Sequence, residues 1–211
     1  MMHWLHSEDV PPDAIVAMIK EVESGSDRAA AILAASCVED QLAFAIKCKL
    51  CPDDKALIRD MFQVRGPLGS FSAKISMGYL LGLYDKETKK ELDTIKEIRN
   101  TFAHRAYACH FETQRIRDLS SKLSLSQRFE IYTPPHAPVT DMKPGDMVVL
   151  AFGMRNTAEP EIGEPCLPRI APDGALSARE RFVRACKYHL HVLGINGMLA
   201  SGVARRGEYH S

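Results

Sequence analysis

Apolar residues recur every three or four positions through most of the first 125 residues, which is the periodicity of helices that bury one face. The strongest run is "SDRAAAILAASCVEDQLAFAIKCKL", where Ala31, Ala35, Val38, Leu42 and Ile46 form a stripe behind Ser26 or Asp27 as N-cap. Its many alanines make a face small enough for another helix to approach closely, so this segment reads as the central helix of a bundle. Before it, "PPDAIVAMIKEVESG" predicts a helix that opens at the two prolines and stops near Gly25. After it, Pro52 separates a further helix whose apolar face is Leu57, Ile58, Met61 and Phe62. Gly66, Pro67 and Gly69 force a turn, Ser70 or Ser72 caps the next segment, and Ile75, Tyr79 and Leu83, with Leu80 beside them, continue it as helix. Gly78 and Gly82 inside that segment cost roughly 1 kcal/mol each in helix propensity. Close contact with a neighbouring helix, a kink or a ligand surface would offset the cost. From Lys86 to about Arg105 a helix carries Leu92, Ile95, Ile98 and Phe102, and "FETQRIRDLSSKLSL" adds a shorter one.

The pattern then breaks. Prolines crowd between residues 133 and 174, and one strand-like run, "MVVLAF", follows the turn signal "KPGD". Beyond them Ser177 and Glu180 form a capping box before a last helix with Phe182, Cys186, His189 or Leu190, and Leu193 inward. The expected architecture is all-α: a helical bundle over 1–125, a Pro-rich extended arm over 126–174 packed on it with at most one short hairpin, a C-terminal helix of the same domain over 175–200, and a tail over 201–211.

Composition adds boundaries. With 45% hydrophobic and 26% charged residues the chain is ordinary globular material. A formal net charge of zero gives no general attraction to polyanions, although a local basic surface stays compatible with it. The opening "MMHWLHSEDV" lacks an export signal, and no uninterrupted apolar run is long enough to span a bilayer, so the expectation is a cytoplasmic protein without a membrane partner. Six cysteines fit free thiols in a reducing compartment; Cys48 and Cys51 make one CxxC without a second pair, so neither metal nor cofactor is expected. Phosphate-binding loop, zinc-protease, calcium-loop and G-x-S-x-G patterns are absent, and no helix announces itself as a DNA-recognition helix.

Three blocks, "SDRAAAILAASCVEDQL", "RGPLGSFSAKISMGYLLGLYD" and "LDTIKEIRNTFAH", in this order and spacing, resemble the mannitol operon repressor family over residues 23–124. The resemblance implies an all-helical cytoplasmic regulator of transcription without a DNA-reading module, acting on another protein such as a regulator or a sugar-uptake component. The chain from about Thr133 onward lies outside it. A looser similarity joins "RNTFAH" to the R-x4-6-H pattern of HEPN helical domains, many of which are metal-independent RNases; Arg99, Asn100 and His104 occupy its positions.

Those three residues carry the functional question. In an RNase, His104 would be the acid or base, Arg99 would hold phosphate in its planar fork, and Asn100 would orient imidazole or phosphate. Five helical residues turn a side chain through roughly 140°, so Arg99 and His104 share a face only if the helix ends or bends, or if a dimer brings two copies together. The alternatives are a recognition surface and a polar network inside the bundle or at a homo-oligomer seam, with Arg99 paired to Glu39 or Asp40. Arg28, in the first turn of the Ala-rich helix, is either solvated or a further member of that network. Arg65, Ser70, Ser72 and Lys74 surround a helix start where an anion or a partner would be received.

Overall fold

The computed structural model describes residues 18, 20–50, 54–104, 109–132, 153–156 and 176–201. Residues 20–24 are helical and pass through Gly25 into α1, Asp27–Lys49. Then follow α2 (Lys55–Phe62), α3 (Phe71–Leu80), α4 (Lys86–His104), α5 (Gln114–Ser120), a 3-10 turn (Leu125–Arg128) and α6 (Ala178–Ser201). A short antiparallel ribbon, β1 (Phe129–Tyr132) on β2 (Gly153–Asn156), pairs Phe129 with Asn156 and Tyr132 with Gly153. The architecture is all-α with that one ribbon as an accessory. The expected strand "MVVLAF", residues 147–152, lies outside the described residues, as does the rest of the 126–174 arm apart from residues 126–132 and β2.

α1 forms because Ser26 accepts a hydrogen bond from Ala29 N at 3.1 Å, Asp27 complements the positive helix start, and Lys47 and Lys49 complement its end. Its alanines bury most of its circumference: Ala30, Ala31, Ala34, Ala35 and Ala45 join Val38, Leu42 and Ile46 in the core. An eighteen-residue stretch of mean hydropathy 1.5 makes it the one described helix long and apolar enough to cross a membrane; 56% of that stretch is buried inside the bundle. The helix that exploits its small face is α6. The two run parallel, with Arg179 against Asp27 at one end and Gly197 against Phe44 and Ala45 at the other. A Cβ on Gly197 would come within 3.1 Å of Phe44 Cε1 and 3.2 Å of Ala45 Cα, so glycine permits this approach.

The stripe expected in α4 is fully buried: Leu92, Ile95, Ile98 and Phe102. In α3 the sequence reading needs correction. The helix ends at Leu80, and Gly82 is not inside it but turns the chain at φ 68°, a conformation open to glycine. The buried face is consequently Phe71, Lys74, Ile75 and Gly78, while Tyr79 and Leu80 face outward. Gly78 does serve close packing, because a Cβ there would meet Tyr84 Oη at 2.6 Å and Leu42 Cδ1 at 2.9 Å.

Polar ties close the bundle. The Arg179 guanidinium donates to Gly25 O at 2.7 Å and to Asp27 Oδ1 at 3.2 Å, and Asp27 Oδ2 accepts from Phe111 N at 2.9 Å. One carboxylate thereby joins α1, α6 and the loop before α5. Asn196 Nδ2 donates to Leu83 O at 2.7 Å, fixing the far part of α6 to the turn after α3. The capping box at the front of α6 is present: Ser177 N donates to Glu180 Oε2 at 2.8 Å, and Glu180 N donates back to Ser177 Oγ at 3.2 Å.

Candidate functional site

The residues of "IRNTFAH" divide by the helical turn. Ile98 and Phe102 point into the core, Arg99 turns toward α1, and Asn100, Thr101 and His104 line an open groove on the outer side of α4. Glu97 and Arg115 complete one wall, joined by an ion pair of 3.1 Å. His104 is exposed, whereas the guanidinium of Arg99 is held from behind by Glu39.

Glu39 is the centre of the inner cluster. Its Oε1 takes Lys74 Nζ at 2.6 Å and its Oε2 faces Arg99 Nη2 at 3.7 Å, while Arg99 Nη1 donates to Asn100 Oδ1 at 3.1 Å. The Lys74 and Glu39 side chains are only 10% and 15% exposed, so each charge needs the other. Three helices meet in this set: α1 through Glu39, α3 through Lys74 and α4 through Arg99. Asp40, next along α1, has its pKa raised by desolvation and by Glu39, with Lys74 and Lys47 opposing. Lys47 has its pKa lowered by desolvation and by Lys74, with Asp40 opposing. Asp40 thus belongs to the same electrostatic neighbourhood, although no hydrogen bond ties it to Arg99.

Two sequence expectations change here. Lys74 does not stand with an anion-receiving surface; it is turned inward, because a buried ammonium is retained only with a carboxylate beside it. Ser70 Oγ accepts from Ala73 N at 3.1 Å as the N-cap of α3, Ser72 Oγ takes Lys96 Nζ at 3.3 Å, and Arg65 is exposed in the preceding turn. Arg28 is also set apart from the cluster. It lies eleven residues before Glu39 on one helix, about 16 Å along the axis, and is exposed in the first turn.

A second buried polar site escaped the sequence reading. His189 of α6 is fully buried, and its Nε2 lies 2.9 Å from Glu91 Oε2 of α4. Glu91 Oε1 accepts the backbone N–H groups of Ser124 and of Leu125, the latter at 2.7 Å. Burial alone would raise the Glu91 pKa; the hydrogen bond from His189, then that from Leu125 N, outweigh it and leave the carboxyl below its ordinary range. The available signal was Glu91 itself, a carboxylate four residues before Ile95 on an otherwise apolar stripe.

Among the described residues, no group of three or more His, Cys, Asp and Glu converges as a metal set. Cys37, Cys48, Cys109 and Cys186 are free thiols, and burial drives the Cys37 pKa to about 12, far from a reactive thiolate. Cys51, the partner of Cys48 in the CxxC, lies outside the described residues. No family model, curated protein or solved structure matches the chain.

Proposed function

We propose that this chain is a regulatory, repressor-like protein that controls transcription through protein contacts, working as a homo-oligomer in the cytoplasm without reading DNA itself. The observation that supports this most is the orientation of Arg99. Its guanidinium faces Glu39 of α1 at 3.7 Å and donates to Asn100 of its own helix, so it lies on the α1 side of α4 while His104 lines the groove on the outer side. Zero net charge agrees with a partner other than nucleic acid held by bulk electrostatics. The resemblance over residues 23–124 suggests a regulator or a sugar-uptake component as that partner.

A second reading has one observation in its favour. His104 and Asn100 lie on the same open groove, four residues apart, with Arg115 nearby, which is the outline of a metal-independent RNase site lacking a committed phosphate cation. The two readings separate in one experiment: full-length protein and His104→Ala are incubated with mixed RNA in EDTA. The regulatory reading expects intact RNA in both; cleavage by the wild type that disappears in the variant would establish the RNase.

A further inference from the structure

α2 buries none of its residues; Leu57, Ile58, Met61 and Phe62 fall on one side of it, with Lys55 and Arg59 along the edge of that side. Lys55, Ile58, Arg59 and Phe62, spaced at three and four residues, form one face, and with Lys47 of α1 and Gln63 they line an open groove. Phe62 reaches back to the edge of the core, Ile58 is partly exposed, and Leu57 beside it is 58% exposed. The floor is apolar and the lining holds three cations and no carboxylate. Lys47 Nζ sits 4.8 Å over the Phe62 ring, at the boundary between the apolar floor and the cationic rim. Arg59 meets Asp60 only at 3.9 Å with both side chains largely exposed, a contact of little energetic weight.

On the reading that this protein works through protein contacts, we infer that the α2 groove is the docking surface for an acidic amphipathic segment of a partner protein. Large apolar side chains of that segment rest on Ile58 and Phe62 while carboxylates flank them against Lys47, Lys55 and Arg59. Charge complementarity selects the occupant: a segment with apolar residues and carboxylates a turn apart answers both the floor and the rim. A nucleic acid would answer the rim alone, because the floor offers a single aromatic ring for stacking.

The probe is a fluorescein-labelled synthetic helix of about fifteen Glu, Leu and Phe residues, long enough for several turns, titrated by anisotropy into the full chain and into Lys55→Glu/Arg59→Glu. A labelled single-stranded RNA runs in parallel. Both substitutions are on exposed side chains, and matching circular-dichroism melts verify folding. The expected result is peptide binding that weakens roughly tenfold or more in the double variant and with added salt, with amide shifts confined to residues near 55–63. No peptide binding, equal binding by both proteins, or preference for the RNA overturns the proposal. Affinity capture from a native-cell lysate separates the two levels of inference. A partner retained equally by the double variant removes the groove and leaves protein-contact regulation standing; no capture by either protein, together with RNA cleavage in EDTA, removes both.

Discussion

Lys74 and Arg99 approach the same carboxylate and differ in what they give the fold. Lys74 is buried at 2.6 Å from Glu39, so Lys74→Ala strands a carboxylate that only Arg99 partly neutralises; a loss of about 3 kcal/mol is expected, the low end for breaking a buried pair. Arg99 is a third exposed and 3.7 Å away, so Arg99→Ala is expected to cost less than about 1 kcal/mol. Urea unfolding of the two variants checks the order, and comparable losses would mean that Arg99 is the principal partner. Glu91 sets a pH dependence. Its folded pKa lies below the ordinary 4.5, so its carboxylate stabilises the fold above that value and the contribution disappears as pH falls through the lower folded value. Melting temperatures measured across the acid range are expected to fall less steeply in Glu91→Gln than in the wild type, from a lower starting stability. A residual slope remains from Asp85, Asp93 and Glu180, whose pKa values are also lowered.

At the scale of elements, glycines decide how closely helices approach, and two identical substitutions should have opposite signs. Gly194→Ala places a methyl 3.6 Å from Gln41 Nε2, an ordinary contact, and gains up to about 1 kcal/mol in helix propensity. Gly78→Ala drives its methyl to 2.6 Å from Tyr84 Oη, the hydroxyl that donates to Ile75 O at 2.7 Å, and to 2.9 Å from Leu42. The clash outweighs the propensity gain, and a net loss of about 1–3 kcal/mol is expected. Thermal melts of the pair read the contrast directly. The α3 boundary shows why periodicity alone misplaced this element. Ile75, Tyr79 and Leu83 are spaced as a helical stripe, but a backbone that turns at Gly82 removes Leu83 from the helix and leaves Tyr79 exposed.

At the scale of the whole molecule, α6 is an inner member of the bundle. It covers the alanine face of α1, supplies His189 to Glu91 and supplies Arg179 to Asp27. A chain ending at residue 174 therefore uncovers the alanine face of α1 and leaves two carboxylates, Asp27 and Glu91, without Arg179 and His189. It is expected to lose cooperative unfolding and to aggregate; a dispersed amide NMR spectrum and a sigmoidal melt from that truncation would refute the assignment. The same interdependence means that residues 23–124 taken alone keep α3 and α4 against α1 but lack the helix that covers its alanine face.

Local chemistry was sufficient for what depends on neighbours in the chain. The all-α class, the stripe of α4, the small face of α1 and the Ser177–Glu180 box all follow from residues within a turn or two of one another, and the sequence determined them; it left the cap of α1 between Ser26 and Asp27, and the structure places it at Ser26. The division of "IRNTFAH" is half of that kind, since the turn of a helix alone separates Arg99 from His104. Only the tertiary structure decided which carboxylate Arg99 meets, that Lys74 turns inward to the same one, and that Glu91 and His189, ninety-eight residues apart, close on each other. Pairing across such distances depends on which helices lie side by side and at what depth, and hydrophobic periodicity marks a buried face without naming the element that covers it.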